Sequence, residues 1–256
     1  MNGRVRRRRY SRRAFNGLTG NQLKLIGMLA MFADHIGAVV IQCGILHGRD
    51  ALACSAIIAT ASGQRWLLVG KVCRYAGRLA FPIFAFLLVE GFRNTSDYKK
   101  YLITMIITAL VSEIPYDLAI CGKVWDFSSQ NAMITMCICL IMLKCMELFS
   151  DSSGFAGSMV RILIMIAAIV WVSIFRAEYG LCMVLLVTVF YVFDTRNVLK
   201  TVLGCIISLM YVTGPIAFYG IWCYNGVRKD RINKYVYYAF YPLHLLMLGV
   251  IAKFVL

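Results

Sequence analysis

The residues able to do chemistry sit where an apolar chain least tolerates them. Asp34 and His35 interrupt the run 23–46, LKLIGMLAMFADHIGAVVIQCGIL. At ~1.5 Å per residue, His35 lies roughly 18 Å along a helix that starts at Leu23, close to the centre of a ~30 Å hydrocarbon slab. A charged side chain there costs at least about 2.5–3.5 kcal/mol, so the pair must face protein or a water-filled cavity. A neutral His35 can take a proton as a general base, or it can simply hydrogen-bond a neighbouring helix. Asp34 is displaced about 100° round the helix from it, which suits orienting a neighbour better than orienting His35.

Other groups follow the same pattern. YYAFYPLHLLML sets Tyr241 and His244 three residues apart on one helix face, with Pro242 able to bend the helix between them. In ALVSEIPYDLA, Glu113 and Asp117 share a face and Pro115 opens the backbone ladder. Two acids at a kink line a cavity, unless they mark the exit of the helix into water. Asn131, after Gln130, either caps the next helix or belongs to that cavity. Arg78 opens GRLAFPIFAFLLVEGFR, and Glu90 stands about 18 Å further along the same helix, too far to pair with it. The fixed fork of Arg78 suits a phosphate-bearing cofactor; as an interfacial residue it would snorkel to headgroups instead.

Only membrane helices can position such residues. The chain is 61% hydrophobic with a mean hydropathy of +0.74, far above the ~45–50% apolar content of soluble domains. The fold class is therefore an all-α, polytopic transmembrane helix bundle. Its net charge of +15 does not point to nucleic acid, because the basic residues occupy the N-terminal arm and the connections between apolar runs. Residues 1–22 read as a basic cytoplasmic arm attracted to anionic membrane lipids, and 23–256 as one transmembrane domain. The ten cysteines lie in apolar segments without CxxC spacing and read as small buried hydrophobes. Neither a structural disulfide nor a metal is expected.

After the first run, further spans are predicted at 77–91, 98–121, 132–149, 158–174, 180–193, 198–222 and 234–256. With the N-terminus cytoplasmic, the connections carrying Arg93, Lys99 and Lys100, and Arg196 and Lys200, also fall inside. Arg228, Lys229 and Arg231 then fall outside, against the same rule. An additional crossing near Gly214-Pro215 would bring them inside. The run 198–222 is only ~37 Å long as one helix, so that crossing would be a pair of half-length helices shielded within the protein. The moderately apolar stretch 51–61 is a second candidate for a broken helix. Eight to nine spans are expected.

In order along the chain, LKLIGMLAMFADHIG, GRLAFPIFAFLLVEGFRNT, KYLITMIITALVSEIPYDLA with a following QN, EYG, YNG and YYAFYPLHLLML resemble the TraX family of membrane proteins. The resemblance runs from Leu23 to Leu248, whereas residues 47–76 match no motif of the family. The family is named for the F-pilin acetylation protein of conjugative plasmids and is similar in layout to the transmembrane acyltransferases. It implies a bacterial inner-membrane enzyme that moves an acetyl group from cytosolic acetyl-CoA, with His35 as the catalytic residue. The acceptor would be an amine or hydroxyl, such as a pilin N-terminus or a glycan. The residues agree on reaction type, since such transfer needs a base for the acceptor proton and positive charge for the CoA phosphates. Asp34, Glu113, Asp117 and His244 are candidate partners of His35. Arg78, Arg228, Lys229 and Arg231 are candidates for CoA, and Glu90, Asn131 and Tyr241 for the cavity wall. The competing reading is a proton-coupled transporter, because intramembrane His, Glu and Asp also form proton relays. No inverted repeat between the halves supports it. A non-catalytic component of a conjugation or secretion system would not need these groups in apolar spans.

Overall fold

A computed structural model describes residues 17–149, 154–227 and 233–254. Arg228, Lys229 and Arg231, the arm up to residue 16 and the last two residues of the final run lie outside the described residues. Helices account for the secondary structure of the described chain, joined by short turns and two isolated bridges. The helix α1 (Gly20–His35) starts three residues before Leu23, the expected start of the first span. Thr19 caps it by accepting from Gln22 N–H, while Gln22 Oε1 accepts from Thr19 N–H at 2.8 Å. That reciprocal box satisfies donors which the first helical turn would leave open. The helix continues beyond His35 as a ten-residue π-helical segment, Ile36–Ile45. Such wide turns are rare and concentrate at functional sites.

After the short α2 (Ala51–Ile58), α3 (Ala61–Gly77) and α4 (Ala80–Asn94) return antiparallel to the first helix. Gly70 faces Ile41, Gly77 faces Asp34, and Gly27 faces Ile83 and Phe84. The span expected at 77–91 is thus only the second half of a 34-residue apolar unit, Ala61–Asn94. Pro82 explains its internal break. It has no N–H to offer the Arg78 carbonyl one turn earlier, so the helical ladder is interrupted at Arg78 and Leu79. The stretch 51–61 is a surface helix and a turn, without a crossing of its own.

The remaining elements are α5 (Tyr98–Ile120), α6 (Ala132–Leu148), α7 (Gly154–Ile174), α8 (Gly180–Val192), α9 (Asn197–Ser208), α10 (Ala217–Trp222) and α11 (Lys234–Phe254). Among the described residues, five units are long and apolar enough to cross a membrane: Gly20–Ile45, Ala61–Asn94, Tyr98–Ile120, Gly154–Ile174 and Tyr235–Phe254. Shorter apolar helices complete the bundle. Apolar residues on its outside are a membrane signature. On α7, Phe155, Ile162, Leu163, Ile166, Val170, Trp171 and Ile174 are exposed, whereas Asp34, His35, Thr135, Asn131, Asp117 and His244 are buried within. Lipid accepts the first set, and packed helices supply partners for the second. The chain is a multi-pass membrane protein.

Two pairs of helices turn back halfway along the bundle. Between α7 and α8, Glu178 N–H donates to the Gln130 carbonyl at 3.0 Å, and Thr135 Oγ1 donates to the Glu178 carbonyl at 2.7 Å. Between α9 and α10, Thr213 Oγ1 donates to the Tyr75 carbonyl at 2.6 Å, and the Tyr211 ring stands 4.9 Å from Phe81. Gly214–Ile216, with Pro215 in its first turn, is the 3₁₀ element that redirects the chain. The run 198–222 is therefore a hairpin of two unequal arms, and α10 brings the chain back to the end from which α9 left. There Leu18 N–H donates to Cys223 O at 2.7 Å, and Gly20 N–H donates to Val227 O at 3.0 Å. Val227 accordingly lies at the end of the bundle where α1 begins. The other end is marked by Arg49, which donates to the carbonyls of Ala119 and Ile120.

This arrangement makes a topological prediction. In an otherwise cysteine-free chain, Val227→Cys and Lys99→Cys should react alike with an impermeant thiol reagent, while Val124→Cys, at the opposite end, should show the reverse accessibility. Opposite labelling of positions 227 and 99 would rule out the hairpin.

Candidate functional site

His35 and His244 meet inside the bundle. Backbone carbonyls only accept hydrogen bonds, so Met31 O, 2.9 Å from His35 Nδ1, assigns a proton to that nitrogen. Phe240 O, 2.8 Å from His244 Nδ1, does the same for the second ring. His244 Nε2 is then an acceptor and lies 3.1 Å from His35 Nδ1. The remaining nitrogen of His35, Nε2, keeps its lone pair and is the basic atom of the pair. Pro242, within α11, cannot bond the Tyr238 carbonyl and loosens the helix beside His244. Phe240 stacks on His244 at 4.8 Å, and Tyr241 contacts both histidines edge-on.

His35 lines a cavity of about 540 Å³ enclosed by α1, α4, α5, α6, α8 and α11. Asp34, Gly77, Glu178, Tyr179 and Tyr241 surround its inner part, and Lys24, Asp97, Lys100 and Tyr101 its outer part, near the end where α1 begins. Methionines 28, 31, 105, 133, 136 and 183 line the shaft between. Such flexible apolar walls adapt to a chain-like ligand. The volume falls in the ~300–1,000 Å³ range of small-molecule sites.

Asp34 forms an ion pair with Arg74, and its Oδ1 has no hydrogen-bond partner among the described residues. The glycine at position 77 lets α3 approach this pair, since a Cβ there would overlap the Asp34 side chain. Gly77→Ala should therefore force α1 and α3 apart, lowering stability by about 1–3 kcal/mol. Unfolding temperature in detergent checks the effect, and a variant as stable as the parent would contradict this packing.

The other expected residues are placed as follows. Arg78 lies beside the cavity floor, donating to the Tyr179 hydroxyl at 2.8 Å and resting against the rings of Tyr179 and Tyr211. Its fork is thus occupied by aromatic partners. Asn131 caps α6 by accepting from Met133 N–H at 2.9 Å, and its amide donates to Ala109 O at 3.0 Å and to Glu113. Asp117 accepts from Asp126 N–H at 2.9 Å, tying down the loop before α6. Glu113, Asp117 and Asn131 therefore organise the α5–α6 connection behind the cavity wall, which itself is formed by Ala132 and Met133. Glu90, expected at the cavity, instead faces Tyr224 and Asn94 beside the Arg93–Asp194 ion pair. The helix places it on the face turned toward α8 and α10.

Arg74, Glu178 and Tyr179 escaped sequence reasoning as individual residues. Arg74 precedes Arg78 by one helical turn in RYAGR, a repeat of cations on one face. Glu178 and Tyr179 form the EYG turn, where Tyr179 adopts a left-handed backbone with φ 58°. Among the described residues no His, Cys, Asp and Glu group could hold a metal ion. Among the described residues, Lys24, whose Nζ lies 4.9 Å from the Tyr237 ring centroid, and Lys100 are cations that line the outer part of the cavity.

A stretch of 129 residues is 26% identical to the probable fimbrial assembly protein FimC, serogroup H1, of Dichelobacter nodosus. That match covers 48% of this chain, which spans 44% of the relative's length. No solved structure matches. The family model described as TraX protein matches residues 19–252, nearly the whole bundle from the Thr19 cap to the last turns of α11, and the chain belongs to the TraX family.

Proposed function

We propose that this protein transfers an acetyl group from acetyl-CoA to an amine or hydroxyl acceptor inside the cavity, with His35 as general base. The observation that carries the reading is the histidine pair. Two backbone carbonyls and His244 leave His35 with a basic Nε2 in a cavity large enough for a small-molecule donor. The elongated shaft supports a chain-like donor. It runs beside α4, whose 15 residues span ~22 Å, from lysines suited to phosphates down to the histidine. In this orientation the thioester sits by His35 while the nucleotide stays at the basic end. The CoA-binding role considered for Arg78 shifts to Lys24 and Lys100. Arg78 instead braces the Glu178–Tyr179 turn.

Arg93, Lys99, Lys100, Arg196 and Lys200 share the end of the bundle where α1 begins. The positive-inside rule makes that end cytoplasmic, in the inner membrane of a bacterium, where acetyl-CoA is available. Membership of a family named for pilin acetylation, and similarity to a protein described as a fimbrial assembly protein, support a pilin N-terminus as acceptor. Purified protein in detergent, given radiolabelled acetyl-CoA and a short peptide with a free N-terminus, should release CoA and label the peptide. Absence of both products would overturn the reading.

A further inference from the structure

One group in the cavity has no task in this scheme. Glu178 is held rigidly through its backbone by Gln130 and Thr135, and the residue lines the same cavity as His35. Of the charged groups within its electrostatic reach, Asp34 and Arg74 are paired with each other and Arg78 donates to the Tyr179 hydroxyl. Among the described residues the carboxylate of Glu178 takes part in no hydrogen bond and no ion pair. Most of the cavity wall is apolar, where an ionised carboxylate without a partner is costly. A rigid turn that presents one carboxylate to a ligand cavity fits a cation or a hydrogen-bond donor on the ligand.

We propose that Glu178 is a second catalytic residue, which binds the ammonium form of an amine acceptor and removes its first proton. The proposal rests on the acyl-transfer reading. An amine reaches the site as R–NH₃⁺ and has no lone pair with which to attack. In apolar surroundings, an ammonium and a carboxylate are favoured to pass one proton and become a neutral amine and a carboxylic acid. The nitrogen then attacks the thioester carbonyl carbon, a C–N bond forms, and the C–S bond breaks. The second proton moves from nitrogen to His35 Nε2, and from there to the departing thiolate. Glu178 returns its proton to water once the amide leaves. One turnover converts the ammonium acceptor and acetyl-CoA into the amide, CoA thiol and one proton, so atoms and charge balance.

Glu178→Gln keeps the shape of the side chain and removes the base. With a short peptide bearing a free N-terminus, kcat/KM for the peptide should fall by ~10²-fold at pH 7, while the KM for acetyl-CoA stays unchanged. The deficit should shrink as pH rises toward the pKa of the peptide amine, because bulk water then supplies the neutral nucleophile. Structural damage would give no such recovery. The same peptide blocked at its N-terminus and offering a serine hydroxyl should show a much smaller difference between variant and parent. Equal losses at every pH, or an unaltered peptide kcat/KM, would overturn the proposal. Should Glu178→Gln fail to fold, Glu178→Asp decides, since its carboxylate is drawn back and the peptide KM must rise. A parent protein that never transfers acetyl would instead overturn the acyl-transfer reading itself.

Discussion

His35→Ala should reduce acetyl transfer by ~10²-fold or more, the usual contribution of a positioned general base, while the protein still inserts and remains monodisperse in detergent. The expected asymmetry within the histidine pair is more informative than the loss itself. His244→Phe removes an acceptor from His35 Nδ1 but leaves Met31 O, 2.9 Å away, to hold the same proton. The basic Nε2 therefore survives, and the loss should be several-fold smaller. Asp34→Asn should also cost less than His35→Ala, because the Asp34 carboxylate serves Arg74 and makes no hydrogen bond to His35. CoA release measured across the three variants tests the order. Parent-like turnover by His35→Ala would remove the residue from the chemistry, and equal losses at positions 35 and 244 would contradict the assignment of the basic nitrogen.

The order in which these features became legible has physical causes. Asp34 and His35 stood out in sequence because hydrocarbon penalises polar groups, so their presence in an apolar run already required a protein-lined site. The hairpin at Gly214-Pro215 was legible for a related reason, since charge placement demanded a return that 25 residues could make only as half-length helices. By contrast, α3 was hidden. RWLLVGKVCRYAG carries Arg65, Lys71 and Arg74, which dilute its hydropathy, and its place in the bundle depends on Gly70 and Gly77 meeting α1 and the π-helical segment. Pairings between distant segments were equally inaccessible. Glu113 and Asp117 share a face as their spacing requires, but which of them meets Asn131 and which meets Asp126 is decided by the loop that returns to α6. Glu178 was visible only as part of a short motif, because its importance comes from a turn that ends halfway along the bundle rather than in water.

Arg74→Met should be the most destabilising single change near the site, because it strands the Asp34 carboxylate. The two partners are not equivalent. The Asp34 side chain is 4% exposed and that of Arg74 is 27% exposed. Removing Arg74 leaves a buried charge with nowhere to go, for which the cost is about 3–5 kcal/mol. Asp34→Asn leaves a long cation that can swing toward water with its apolar stem still packed, so its cost should be less than half as large. Combining the two should recover most of the loss, since neither side then carries an unpaired charge, and the double-mutant cycle should show strong positive coupling. Unfolding of each variant in mixed detergent micelles provides the stabilities, and additive losses would show that the pair contributes little. The double variant also separates stability from chemistry. Arg74 joins α3 to α1 one residue before His35, at the level where Gly77 lets the helices touch. If the doubly substituted protein is stable but slow, the ion pair sets the position of the histidine; if it is stable and fast, its role is to close the floor of the cavity.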